Sequence, residues 1–175
     1  MHLIFVGFMG SGKSTLGKRI AEKMGRPFID MDERLEDQFG CSISSFVKDF
    51  GMEAFRIEED ELLRSIMKER VSVISTGGGT PCTKGAMEWM RQHGIVVHLS
   101  VSPKVLASRL EGNCKNRPLL SDVKPENLER TIGMQLLVRT SCYGGANTKW
   151  EDVEYNDDLI NSKLESLGWR LREAL

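Results

Sequence analysis

The chain offers no excess charge to a polyanion: 24 basic against 25 acidic residues leave a net charge of −1. No global field therefore draws it to nucleic acid, and an anionic ligand has to be caught by a local cluster. Cysteine is sparse and unpatterned. Cys41, Cys82, Cys114 and Cys142 show no C-x-x-C spacing, and His2, His93 and His98 form no ligand set, so neither a zinc site nor a disulfide framework is expected. A long apolar run is also missing. The first one is broken after Val6 by a glycine-rich stretch, too short for a membrane span or signal peptide, so a cytoplasmic protein with no membrane partner is expected. Without internal repeats or low-complexity linkers, the 175 residues are expected to form one domain, 1–175, acting as a monomer.

What is present begins at Gly7-Phe8-Met9-Gly10-Ser11-Gly12-Lys13-Ser14, which satisfies G-x-x-x-x-G-K-[ST] in full. Leu3-Ile4-Phe5-Val6 ahead of it reads as a buried strand, and Leu16, Ile20 and Met24 behind it recur at helical spacing. A plain glycine-rich turn before an amphipathic helix would need neither the lysine nor the hydroxyl. In the functional alternative, inward-facing amides and the positive end of the following helix cradle phosphates. Lys13 then reaches the outer phosphates and Ser14 holds magnesium. This predicts a nucleoside triphosphate ligand, but ATPases, GTPases and kinases all share the loop.

Strand-like and helix-like segments alternate along the rest. Strands are expected at 26–29, 71–75, 95–99 and 151–155, and helices at 105–110, 125–139 and a C-terminal run with Ile160, Leu164, Leu167, Leu171 and Leu175 on one face. This is the pattern of an α/β fold, a five-stranded parallel sheet between two helical layers. Two stretches break the alternation. Residues 33–68 show helical pattern only, around Ile43, Phe46 and Val47 and again from Met52 to Met67, which predicts an insertion (about 33–60) over the carboxyl edge of the sheet. Residues 112–124 are mostly polar and aperiodic, which predicts a mobile lid.

Several residues near these stretches suit chemistry. Asp30 and Asp32, two apart at the end of the second strand, would point the same way if extended; one could steady hydrated magnesium and the other an acceptor hydroxyl, although a helix N-cap is the simpler role for either. Gly77-Gly78-Gly79 after the third strand lets a ligand approach bare backbone, or is a flexible turn. Arg56, with Glu59 at i+3, reads first as a solvated ion pair, and Arg139 near a helix end as a dipole partner. Arg117, in the lid, is suited to arrive over phosphates on closure.

Taken together, Gly10-Ser11-Gly12-Lys13-Ser14-Thr15, Asp30-x-Asp32, Phe55-Arg56, Gly77-Gly78-Gly79, Arg117-Pro118-Leu119-Leu120 and Arg139 with Tyr143 resemble the shikimate kinases, small P-loop kinases of the nucleoside-monophosphate-kinase group. The resemblance spans nearly the whole chain. It implies a three-layer P-loop kinase fold and transfer of the ATP γ-phosphoryl to the 3-hydroxyl of shikimate, in aromatic amino-acid biosynthesis. It further implies that Asp32, Arg56, Gly77, Gly78, Gly79 and Arg139 hold shikimate, the arginines on its carboxylate. Gly10, Ser11, Gly12, Lys13, Ser14, Thr15, Arg109 and Arg117 would hold ATP, with Arg109 against the base and the Asn156-Asp157 loop on its other side. Ser14 and Asp30 would serve Mg2+, and Lys13, Asp32 and Arg117 the transfer itself. Two departures stand out: the family's Gly-Glu before Phe-Arg is Gly51-Met52-Glu53, and its R-x-P-x-Y is Arg139-Thr140-Ser141-Cys142-Tyr143 followed by Gly144-Gly145, a less rigid segment. A gluconate or nucleoside-monophosphate kinase and a non-catalytic nucleotide binder are the rival readings.

Overall fold

A computed structural model describes residues 1–112, 120, 123–151 and 154–169. The expected lid falls mostly outside the described residues, as does Arg117. Five strands, β1 (His2–Val6), β2 (Phe28–Asp30), β3 (Val73–Ser75), β4 (Gly94–Leu99) and β5 (Thr148–Trp150), form one parallel sheet in the order β2-β3-β1-β4-β5. Seven α-helices accompany them among the described residues: α1 (Lys13–Met24), α2 (Met31–Phe39), α3 (Ile43–Ile66), α4 (Ala86–His93), α5 (Pro103–Leu110), α6 (Leu128–Tyr143) and α7 (Asp157–Ser166).

β1 lies at the centre of the sheet and is buried on both faces, as its unbroken apolar run requires. Ile4 and Val6 point to one face and pack, with Ile74 of β3, against Met31, Leu63 and Met90 from the layer of α2, α3 and α4. Leu3 and Phe5 point to the other and pack with Leu16, Ile20, Ile160 and Leu164 from α1 and α7. A third apolar cluster, including Phe8, Leu106, Leu110, Leu120 and Ile132, seats α5 and α6 beside the carboxyl end of the sheet.

The expected insertion is helical, as α2 and α3, and α3 is interrupted at Gly51 (φ 88°, ψ 165°) between the two helical patterns seen in sequence. Three expectations need correction. The last strand is Thr148–Trp150 rather than 151–155, because Val97, His98 and Leu99 of β4 pair with Thr148, Lys149 and Trp150. Asp30 and Asp32 do not share an extended strand. β2 ends at Asp30, whose carboxylate caps α2 by accepting from the Asp32 amide at 3.0 Å, so Asp32 lies in the first helical turn. Finally, a disulfide joins Cys82 to Cys142 across 60 residues, their Cα atoms 5.0 Å apart. No sequence spacing announces this pair, because the 3-10 turn Thr80–Cys82 after β3 meets the last turn of α6 only in the fold.

Candidate active site

Parallel pairing in register brings the carboxyl ends of β2, β3 and β1 side by side, with Asp30 opposite Ser75 and Ser75 opposite Phe5. The P-loop leaves β1, the glycine triplet leaves β3 and α2 leaves β2, so three signals distant in sequence open onto one edge. Two adjoining cavities occupy it, of about 460 and 430 Å3, and both are bordered by Met9, Gly10, Asp32, Gly78 and Arg109.

The first cavity is built on the P-loop. Gly10 and Gly12 have φ of 77° and 95°, left-handed values that admit glycine and turn the loop amides inward. Lys13 is buried, its Nζ donating to the carbonyls of Gly7 (3.0 Å) and Phe8 (3.1 Å). Ser11 Oγ is buried with no hydrogen-bond partner among the described residues. Ser14 Oγ donates to Asp30 Oδ2 at 2.5 Å and lies 3.3 Å from Ser75 Oγ. Asp30 thus caps α2 through one oxygen and meets the P-loop hydroxyl through the other, so the cap and functional roles coexist. Thr15 lines the same cavity. Arg109 Nη1 donates to the Gly10 carbonyl at 3.2 Å, which holds its guanidinium at the cavity mouth.

Two residues of this wall escaped the sequence analysis. Arg19 and Tyr155 line it, Arg19 donating to the Tyr155 carbonyl at 2.6 Å and pairing with Asp157. Asn156 and Asp157 do not border the cavity: Asn156 caps α7 through the Leu159 amide, and Asp157 is held by Arg19 and Lys23. The loop around Asn156-Asp157 reaches the cavity wall through its neighbour Tyr155.

The second cavity gathers Asp32, Arg56, Arg139 and all three glycines of the triplet. Gly77 and Gly79 are required by close approach, not by φ, whereas a Cβ on Gly78 would meet only ordinary contacts. A Cβ on Gly77 would lie 2.5 Å from Glu59 Oε1 and 2.9 Å from Asp32 Oδ1, and one on Gly79 would lie 2.8 Å from Arg56 Cζ and closer still to Nη2. Arg56 is ion-paired with Glu59 as its spacing suggests, but the pair is not a solvated surface pair: the Glu59 side chain is 2% exposed. Glu59 also accepts from Thr80 Oγ1 at 2.6 Å, so Arg56 is held against the triplet through a buried carboxylate. Glu59 and Thr80 were not singled out as site residues. The i+3 spacing was visible, but burial of the carboxylate depends on the turn after β3.

Arg139 donates to the Gly78 carbonyl at 3.3 Å and lies over the Phe8 ring at 5.2 Å. Tyr143 OH donates to the same carbonyl at 2.7 Å, and burial pushes its phenol above the ordinary value, keeping it a donor. Among the described residues no carboxylate pairs with Arg139. The second cavity therefore presents one guanidinium neutralised by Glu59 and a second without an acidic partner, which suits a small anion. Its position beside the P-loop lets a group bound there meet the outer phosphate of a nucleotide.

The family profile described as shikimate kinase matches residues 9–161. A shikimate kinase of Bacteroides fragilis is 38% identical over 175 residues, covering 100% of this chain and 96% of that protein. Among solved structures, the fold is similar to a shikimate kinase from Bacteroides thetaiotaomicron, with TM-score 0.84, 35% identity and 95% and 96% of the two chains covered. It is equally similar to a shikimate kinase from Acinetobacter baumannii in complex with shikimate, with TM-score 0.84, 32% identity and 95% and 91% covered.

Proposed function

The chain belongs to the shikimate kinase family, and we propose that its two cavities bind ATP and shikimate so that the γ-phosphoryl passes to the shikimate 3-hydroxyl, giving shikimate 3-phosphate and ADP. The observation that carries the assignment of the acceptor cavity is the convergence of Arg56 and Arg139 on the glycine triplet, next to the P-loop. Two guanidinium groups set around bare backbone can take one planar carboxylate in the geometry that arginine favours over lysine.

Asp32 borders both cavities, a position from which its carboxylate can accept a hydrogen bond from the acceptor hydroxyl and aim that oxygen at phosphorus. Because the transition state of phosphoryl transfer is loose, alignment matters more than early proton removal. Asp32 is therefore a positioning group first and the proton acceptor second. Lys13 exchanges the Gly7 and Phe8 carbonyls for phosphate oxygens, and the amides of Gly10, Ser11, Gly12, Ser14 and Thr15 hold the rest of the triphosphate. Arg109 borders the nucleotide at the cavity mouth, and Arg117 neutralises charge on the transferred group.

Ser14 and Asp30 fit magnesium: a hydroxyl and a carboxylate in direct contact at the P-loop mouth form a hard oxygen donor set of the kind the ion takes alongside phosphates and water. Ser14 would ligate the ion and Asp30 its water; bound there, it would neutralise the phosphate oxygens. Both cavities are lined by elements of the one five-stranded core, which supports a single catalytic domain; action as a monomer in the cytoplasm is part of the proposal. ADP formation measured with shikimate, with gluconate and with no acceptor tests the proposal. Turnover with shikimate alone is expected; equal turnover with gluconate, or ADP release without an acceptor, overturns it.

A further inference from the structure

The acceptor cavity has a covalent tie that the proposed reaction does not use. Cys142 sits in the last turn of α6, between Arg139 and Tyr143, both of which donate to the Gly78 carbonyl. Its disulfide partner Cys82 closes the 3-10 turn after the triplet, its amide donating to the Gly79 carbonyl at 2.9 Å. Gly79 in turn is the residue whose Cα faces Arg56. The bridge therefore joins the element that carries Arg139 to the backbone against which Arg56 is set. Without it, α6 is attached to the triplet by two side-chain hydrogen bonds on one carbonyl, at a helix end that runs into Gly144-Gly145 and carries Ser141 where the family pattern has proline. Cys82 is exposed and Cys142 half-buried, so a small thiol can reach the bond.

We propose that Cys82 and Cys142 form a reversible thiol–disulfide clamp that sets the affinity of the acceptor cavity, tight when bridged and weaker when open, while leaving the nucleotide cavity unchanged. The inference rests on the acceptor assignment above. Opening is thiol–disulfide exchange. A thiolate of a small dithiol attacks one sulfur and displaces the other cysteine as thiolate, which takes a proton. The reductant's second thiolate then resolves the mixed disulfide, so the dithiol loses two electrons and the two cysteines gain them with two protons. A small-molecule disulfide reverses the step. Closure acts by preorganisation: the guanidinium of Arg139 is already placed when the carboxylate arrives, so less ordering is left for binding.

The test uses the whole chain, oxidised with a small-molecule disulfide or reduced with a dithiol. Non-reducing peptide mapping of the oxidised protein is expected to yield a Cys82–Cys142 cross-linked peptide; its absence, or linkage of either residue to Cys41 or Cys114 instead, overturns the proposal. On reduction the shikimate KM is expected to rise by about fivefold or more, the lower range for coupling between two sites, with the ATP KM unchanged. Cys82→Ser and Cys142→Ser should each hold the reduced KM in both treatments. A shikimate KM indifferent to treatment, or a parallel rise in the ATP KM, refutes the clamp. Hydrogen exchange without substrates gives a readout independent of turnover: amides of residues 77–82 and 139–146 should exchange faster after reduction, and equal rates refute the clamp. If shikimate is not phosphorylated in either state, the acceptor assignment fails, and the exchange rates still decide whether the bridge orders this wall.

Discussion

Replacing Gly79 with alanine separates what the glycine triplet does for folding from what it does for binding. The backbone at Gly79 is right-handed, φ −101° and ψ −17°, so alanine is accepted without backbone strain and its smaller unfolded-state entropy favours folding by ~0.4–1 kcal/mol. The new Cβ, however, would stand 2.8 Å from both Cζ and Nη1 of Arg56 and closer still to Nη2. These atoms are the far end of a flexible, 31% exposed side chain, so Arg56 swings out and Glu59 keeps Thr80. We expect a net destabilisation of only ~1–2 kcal/mol, below the figure for stripping a fully buried charge of its partner. Binding suffers more. Loss of one guanidinium from a desolvated carboxylate costs ~2–5 kcal/mol, and at ~1.4 kcal/mol per tenfold the lower bound predicts a shikimate KM raised about 30-fold. The assay is steady-state ADP production with shikimate or ATP varied, beside a thermal melt, for Gly79→Ala, Arg56→Ala and the double variant. With Arg56 truncated, the added methyl group has nothing to displace, so the double variant should match Arg56→Ala alone. Additive losses would mean that the two positions act independently and would refute the steric account.

Asp30→Asn should depress activity with little change in Tm, because asparagine caps a helix as well as aspartate, and added magnesium should restore part of the loss; superimposable magnesium titrations of variant and parent would remove Asp30 from the metal. Arg117→Ala should lower kcat by about 10³-fold or more while nucleotide affinity falls much less; an untouched kcat would place Arg117 outside the reaction. His98 stacks near Tyr143 at 4.8 Å, and burial, with Lys149 adding to it, lowers its pKa from 6.5 to about 4. Between those values the unfolded chain takes up a proton that the folded one refuses, so the stability His98 contributes is present above pH 6.5 and drains away as pH falls towards 4. Melts of His98→Gln across this window should show a shallower acid loss than the parent; parallel curves would mean that His98 titrates alike in the folded and unfolded chain.

The nucleotide side was legible because its information is local. The P-loop needs glycines, one lysine and one hydroxyl within eight consecutive residues, and strand and helix flank it with opposite apolar periodicities. The break in α3 was legible for the same reason, its two apolar patterns lying on either side of Gly51. Short strands were harder. β5 is three residues long and only one of them, Trp150, is buried, so the acidic run after it was no worse a candidate until pairing with β4 chose the register.

On the acceptor side, residue-level reasoning about Arg56 and Arg139 stopped at surface pairing and a helix dipole, and resemblance to a family was needed to bring them together. Sequence by itself determined the α/β alternation, the phosphate cradle and the set of residues available for chemistry, because each depends on neighbours along the chain. Tertiary structure alone decided that Glu59 is buried beneath Arg56, that Tyr143 and Arg139 share the Gly78 carbonyl, that Tyr155 walls the nucleotide cavity, and that Cys82 meets Cys142. Each of these joins residues whose separation closes only when parallel strands stack side by side and helices cross above their carboxyl ends, except for Arg56 and Glu59, whose spacing is local but whose desolvation comes from the turn after β3.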